Sequence, residues 1–179
     1  MLLETNKLQI RNVKEVDLDG LLQIFGDRQV MDECSPLIYT RERMSAWISN
    51  RLIEYESDGI GNYWLIQLRS TNEIVGIVGL PVKEIMGSRA REIRFIIKRS
   101  YWRTGIATEA SAAMRDFAFS KLALKSLISI IPHQHLKAIG VVKKVGLKYK
   151  TDATICEKNH AIFEIENPKF SSLDSYAAV

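Results

Sequence analysis

The sequence predicts a mixed α/β fold, and three observations carry that prediction. Strand-like and helix-like patterns follow one another in the order β-α-α-β-β-β-α-β-α-β-β, a mixture rather than a run of either kind. Of 179 residues, 46% are hydrophobic and 26% charged, the balance of a soluble globular protein. One stretch, Glu92 to Ala112, joins an apolar strand to a Gly-containing turn and then to a helix start. At this length a single domain buries about 70% of its unfolded surface.

The elements follow in order. Leu8 to Arg11 alternates apolar and polar residues, an edge-type strand. Asp17 precedes a helical stripe of Leu18, Leu21, Leu22 and Phe25 that stops near Gly26. Residues 26–39 read as irregular, and Thr40 caps a second helix whose stripe is Met44, Trp47, Ile48, Leu52 and Tyr55, core positions rather than a ligand site. Tyr63 to Leu68 and Glu73 to Leu80 form a hairpin around Ser70-Thr71-Asn72, and a turn at Met86-Gly87-Ser88 leads into the central stretch. The long helix with Ala110, Ala113, Met114, Phe117 and Ala118 is followed by a buried strand, Ser126 to Ile131. A helix from Lys137 to Val145 closes at Gly146, and strands over about residues 148–151 and 161–166 complete the chain. The expected domain spans residues 1–166. Residues 167–179, rich in Ser, read as a loose tail.

The central stretch has the features of an anion site. The first N–H groups of a helix have no intrahelical acceptor, and the helix dipole places partial positive charge there. Gly105 admits close backbone approach, Ala107 keeps the next position small, and Arg99 and Arg103 add positive charge. Spacing alone fits either a pyrophosphate cradle or an ordinary strand-to-helix connection with surface arginines.

Tyr101 to Ala110, reading Tyr-Trp-Arg-Thr-Gly-Ile-Ala-Thr-Glu-Ala, resembles the acetyl-CoA-binding signature of the GCN5-related N-acetyltransferases (GNATs), and within them the RimJ/RimL-like branch of ribosomal-protein N-terminal acetyltransferases. In the pattern [Q/R]-x-x-G-x-[G/A], Trp102 occupies the first slot, as is usual in that branch, with Gly105 and Ala107 in the others. The Glu-Ile-x-aromatic opening is present as Glu92, Ile93, Arg94 and Phe95. The resemblance runs from Leu3 to about Phe163. It implies the acyl-CoA N-acyltransferase fold: a mostly antiparallel central sheet with about four flanking helices, splayed between its fourth and fifth strands. It also implies acetyl-CoA as cofactor, held by the backbone of Phe95, Ile96 and Ile97 and by the turn Trp102, Arg103, Thr104, Gly105, Ile106, Ala107 and Thr108.

Acetyl transfer to an amine asks for a neutral nitrogen near the thioester, a donor to its oxygen and a proton for the leaving thiolate. By the resemblance Glu92 is the base; its structural alternative is a strand-end carboxylate paired with Arg89, Arg91 or Arg94. Pro132 to Leu147 resembles the second family region, with Lys144, Gly146 and Leu147 on pattern. It departs from the pattern at His135 (usually Asn), Ala138 (often Ser) and Val142 (often the Tyr acid). His135 is therefore a candidate for pantetheine binding or for protonating the thiolate, against a structural role, and His133 reads as a loop residue. Asp32, Glu33 and Tyr39 are candidates for contacting the acceptor, against simple solvation. The branch suggests a protein N-terminus as acceptor; relatives also acetylate polyamines, amino acids and antibiotics.

A His-x-His pair without further ligands gives no metal expectation. Cys34 and Cys156, far apart and outside any C-x-x-C spacing, read as reduced thiols. A net charge of +4, spread along the chain, does not suggest nucleic acid, and no apolar run is long enough for a membrane span. No secretory pattern is present, so the cytoplasm is the expected location, with the protein a monomer or homodimer. The function expected is acetyl transfer from acetyl-CoA to a primary amine by direct attack in a ternary complex. A non-catalytic acyl-CoA sensor is the alternative, motivated by His135, Ala138 and Val142. A nucleic-acid-binding module ranks behind both.

Overall fold

The computed structural model describes residues 2–34, 37–58, 61–85 and 87–171. Strands β1 (Leu2–Glu4), β2 (Leu8–Arg11), β3 (Tyr63–Leu68) and β4 (Ile74–Gly79) lie side by side in that order, each antiparallel to its neighbour. The expected edge strand, residues 8–11, is instead an inner strand. β1, too short to be recognised by alternation, pairs along its outer edge, and Leu8 and Ile10 are fully buried in the core on one face of the sheet.

Helices α1 (Leu18–Phe25), α2 (Arg28–Cys34) and α3 (Arg41–Asp58) cross one face of this sheet. They enclose Leu21, Ile24, Val30, Met31, Met44 and Ile48 with Leu65 and Ile77 from the strands. The start of α1 is fixed by Asp17, whose carboxylate accepts the Lys14 N–H at 2.7 Å and both terminal nitrogens of Arg11 at 2.8 and 2.7 Å. Helix α3 begins where Thr40 predicts: the Thr40 hydroxyl accepts the Arg43 N–H at 3.4 Å. Helix α2 occupies the stretch expected to be irregular. Two turns are too few for a helical stripe to stand out. The local cue is Asp27, whose carboxylate accepts the Gln29 N–H at 2.9 Å and whose carbonyl accepts from Val30 and Met31.

A small hairpin, β5 (Val82–Ile85) and β6 (Ser88–Arg91), follows β4, where only a turn was expected. Strand β7 (Arg94–Ile97) then completes the five-stranded sheet beside β4. Helix α4 (Ile106–Ser120) lies on the opposite face from α1–α3, with Ala110 and Met114 packed against Trp64 and Ile66. Strand β3 is thus buried on both faces, which is why Trp64, Leu65 and Ile66 are apolar in succession rather than alternating.

A second sheet has the order β8 (Ser126–Pro132), β10 (Lys158–Glu166), β9 (Lys148–Ile155), all antiparallel. Helix α5 (Leu136–Val145) precedes β9 and ends at Gly146, whose φ of 101° lets the chain turn back; the Leu147 N–H then reaches the Val142 carbonyl at 3.0 Å. Asn167, expected to open a loose tail, is buried, its amide donating to the Leu124 carbonyl at 2.9 Å, and α6 (Pro168–Ser171) follows. The rest of that stretch, 172–179, lies outside the described residues. Six helices are therefore described, against about four expected.

The two sheets meet at one point, a parallel bridge between Glu92 and Ile128, with the Ile93 N–H donating to the Ile128 carbonyl at 2.8 Å and the Ser129 hydroxyl to the Ile93 carbonyl at 3.1 Å. Beyond it β7 and β8 separate, the splay that the resemblance implied.

Arg11 and Asp17 form a bidentate pair in which the Asp17 side chain is only 3% exposed. Arg11→Met removes the cation and leaves the carboxylate buried, with an expected cost of about 3 kcal/mol in urea unfolding. A cost below about 1 kcal/mol would reduce the pair to a surface contact.

Candidate active site

Between the splayed strands lies a cleft of about 1900 Å³, walled by β7, the turn into α4, β8, the start of α5, strand β5, the β9–β10 hairpin and an edge of α2. Its chemistry follows from which groups the backbone turns inward.

The Lys98 N–H donates to the Val75 carbonyl across the β4–β7 ladder, and the ladder pairs Ile96 with Ile77. Alternation therefore commits the backbone of Ile96 to β4 and turns the N–H and carbonyl groups of Phe95 and Ile97 toward the cleft. Of the three residues expected to offer backbone to a pantetheine, Phe95 and Ile97 can do so and Ile96 cannot. The outward Ile97 carbonyl already accepts the Trp102 indole N–H at 2.8 Å. Trp102 thus ties the turn to the end of β7.

The turn itself is anchored from behind. Tyr101 donates to Glu73 at 2.6 Å, Lys98 pairs with the same carboxylate at 2.8 Å, and the Thr104 hydroxyl closes on the Tyr101 carbonyl at 2.7 Å. Arg103 and Gly105 have φ of 65° and 89°. A Cβ on Gly105 would meet nothing within 4 Å, so the residue borders open cleft rather than packed protein. The Glu109 N–H is the first in α4 to find an intrahelical acceptor, the Gly105 carbonyl, which leaves the N–H groups of Ile106, Ala107 and Thr108 for a ligand. Glu109 would oppose an anion, yet its carboxylate is turned away, accepting from the Thr5 hydroxyl at 2.6 Å and the Lys7 N–H at 2.9 Å. Arg103, Lys137 and Lys144 border the cleft, with the Lys137 ammonium 4.4 Å from the Trp102 ring centroid. These groups fit the diphosphate end of a coenzyme A.

Ile106 and Arg99 differ from the rest of the expected cradle. The Ile106 side chain is 3% exposed and belongs to the core, so only its backbone reaches the turn. Arg99 adds no charge to the cradle: it pairs with Asp27 at 3.2 Å and Gln29 at 2.8 Å, bracing α2.

Glu92 sits where the strands part. It is 3% exposed, lines the cleft, and its Oε2 has no hydrogen-bond partner among the described residues; the Arg94 guanidinium stands 4.0 Å away. Burial holds its carboxyl above the usual carboxylate range, opposed by Arg94, Lys83, the Ile130 N–H and His160. A carboxylate buried at a cleft, with one oxygen unengaged, can accept a proton from a bound molecule.

His135 lines the cleft, half-buried, at the N-cap of α5, while His133 is exposed and pairs with Asp152 at 2.9 Å. Val142, the position of a Tyr acid in many relatives, is fully buried in the core and does not face the cleft. Of the acceptor candidates, Asp32 lines the cleft at its α2 edge, exposed and 4.0 Å from Arg28. Tyr39 does not line it: its ring packs edge-on against Phe25 at 5.1 Å. The Glu33 side chain lies outside what the structure describes. Sequence reasoning missed Lys83, Arg94 and His160 as cleft residues. Nothing in Val82-Lys83-Glu84-Ile85 singled out Lys83, since the stretch does not alternate, while His160 directly precedes the strand expected from Ala161.

Residues 7–148 match the family model for the acetyltransferase (GNAT) domain. The chain belongs to the GNAT acetyltransferases. It is an N-acetyltransferase with the acyl-CoA N-acyltransferase fold, and acetyl-CoA is the acyl donor of the family. An uncharacterized Bacillus subtilis protein, YkkB, is 26% identical over 165 residues, covering 90% of this chain and 94% of that one. The ribosomal-protein-S5-alanine acetyltransferase from Vibrio fischeri superposes with a TM-score of 0.78 at 17% identity, over 94% of this chain and 97% of that one. The spermidine N-acetyltransferase from Vibrio cholerae, in complex with CoA and spermine, does so with a TM-score of 0.76 at 15% identity, over 93% and 99%. At these identities the two structures share the fold and leave the acceptor open.

A carboxylate at the α4 turn would face any bound diphosphate. Gly105→Glu is expected to weaken acetyl-CoA binding by roughly 100-fold in calorimetric titration, with Gly105→Ala, which adds the backbone strain alone, falling between. Unchanged affinity in Gly105→Glu would place the phosphates elsewhere.

Proposed function

We propose that this GNAT enzyme moves the acetyl group of acetyl-CoA to a primary amine by direct attack within a ternary complex, with Glu92 as the general base. The observation that carries the reading is the buried Oε2 of Glu92 at the splay, which has no hydrogen-bond partner among the described residues and only the Arg94 guanidinium at 4.0 Å, beside the outward backbone of Phe95. Acetyl-CoA brings an activated thioester. The protein's part is to align the outward Phe95 and Ile97 groups, the α4 turn from Trp102 to Thr108, and Glu92 along one cleft. The amine nitrogen forms the new bond to the acetyl carbon, the carbon–sulfur bond breaks, and the proton lost by nitrogen passes to Glu92, directly or through a water. An α-amino group is partly neutral near pH 7, so a carboxylate held above its usual range is a sufficient base. His135, at the head of α5, is the residue placed to protonate the departing thiolate or to hold the pantetheine. The RimJ/RimL-like form of the signature supports a protein N-terminus among the acceptors.

Burial of Glu92 also speaks against a sensor that has lost its chemistry. A carboxyl held above its usual range is one that the fold prefers protonated. Stability from this group is therefore full at low pH and is lost as pH rises through its folded-state value. Glu92→Gln removes both the base and this penalty. It is expected to lower kcat by about 10²-fold or more, to retain acetyl-CoA binding, and to remove the carboxyl's contribution to the acidic limb of the pH–rate profile, leaving that of the amine. Its melting temperature is expected to gain on the parent protein as pH is raised from about 4 to about 8. An unaltered kcat and pH–rate profile in Glu92→Gln removes Glu92 from the mechanism.

A further inference from the structure

The helix that cradles the diphosphate carries an acid in its own first turn. Glu109 lies one turn after Gly105, directly behind the three residues whose N–H groups are left for a ligand. Helix side chains lean back toward the helix N-terminus, so a carboxylate at this position can reach the N–H groups of Ile106, Ala107 and Thr108. The partial positive charge that draws a diphosphate draws this carboxylate too. An unrestrained Glu109 is an internal competitor for the anionic end of the donor.

The restraint comes from the far end of the sheet, the turn between β1 and β2. One oxygen of Glu109, Oε1, accepts both the Thr5 hydroxyl at 2.6 Å and the Lys7 N–H at 2.9 Å. Both partners are neutral, so they aim the carboxylate without cancelling its charge. The turn is built to keep that aim. The Thr5 hydroxyl accepts the Leu8 N–H at 3.0 Å and gives its one hydrogen to Glu109 rather than to the Leu8 carbonyl 3.4 Å away. The Thr5 N–H donates to the Leu8 carbonyl at 2.9 Å. From the end of β3, the Arg69 N–H donates to the Lys7 carbonyl at 2.9 Å and its guanidinium to the Thr5 carbonyl at 2.8 Å.

We propose that Thr5 is a positioning residue for donor binding: the β1–β2 turn holds the Glu109 carboxylate out of the anion cradle at the head of α4. This rests on the diphosphate site at that turn, and on neither the identity of the acceptor nor the choice of base.

The test is calorimetric titration with acetyl-CoA, at low and at moderate salt. Thr5→Val keeps the size of the side chain and removes the hydroxyl. It is expected to weaken binding by roughly fivefold at low salt, with the loss shrinking as ionic strength rises. Glu109→Gln keeps an oxygen for both hydrogen bonds and drops the charge, and is expected to bind at least as tightly as the parent protein. In the Glu109→Gln background, Thr5→Val is expected to change affinity by less than about twofold. Thr5→Ser, which retains the hydroxyl, is expected to bind as the parent does. Arg69→Met loosens the turn from outside and is expected to show the same Glu109-dependent loss in smaller measure. Parent-like affinity in Thr5→Val overturns the inference. So does a loss that persists undiminished beside Glu109→Gln, since the turn would then be only a support for α4. Unchanged affinity in Gly105→Glu removes the cradle itself, and this inference with it.

Discussion

The structure depends on one constraint: the chain entering β7 is tied to β8 around Glu92–Ile93 and Ile128–Ser129, while among the described residues β7 itself pairs with no strand on that side. In a continuous sheet the outward N–H and carbonyl groups of β7 would pair with β8. Here that edge opens instead onto a cleft, and backbone groups with no sheet partner call for one from elsewhere. The Ser129 hydroxyl on the Ile93 carbonyl and the Trp102 indole on the Ile97 carbonyl close the two ends of the edge. Between them Phe95 is left to bind. The fold builds a strand-shaped vacancy, and an extended amide-bearing chain such as a pantetheine is the natural partner for it.

The two ends of the cleft are tuned in opposite ways. At the α4 turn the protein presents helix N–H groups and removes competing anions, turning Glu109 toward the loop between β1 and β2. At the splay it does the reverse and buries a carboxylate. That burial carries a cost in stability, partly offset by Arg94, Lys83 and the Ile130 N–H. A residue that weakens the fold where it sits, with an oxygen left unengaged, is expected at a catalytic position rather than a structural one.

The parts of the fold legible in the sequence were those with strong local signals. Asp17 and Gly26 bracketed α1, Thr40 marked the start of α3, and the apolar run of β3 reflected burial on both faces. What escaped was short or set by distant contacts: β1 has three residues, α2 seven and each strand of the β5–β6 hairpin four, below the length at which periodicity separates from noise. Within the site, the turn from Trp102 to Thr108 was legible because Gly105 and Ala107 serve backbone geometry. The orientation of Ile96 and Ile106 was not, since strand register and helix phase settle it. Nor could the convergence of Lys83, Arg94 and His160 be seen, because three separate strands bring them together. Tyr39 shows the opposite limit: a polar aromatic residue in a loop was drawn into the α1–α3 core by Phe25.

Acetyl transfer by direct attack requires a single cleft that holds donor and acceptor together. Initial rates of thiol release, measured while acetyl-CoA and an amine are both varied, test it most directly. Intersecting double-reciprocal lines, with release dependent on the amine, are what the account predicts. Parallel lines, or release indifferent to the amine, would contradict it.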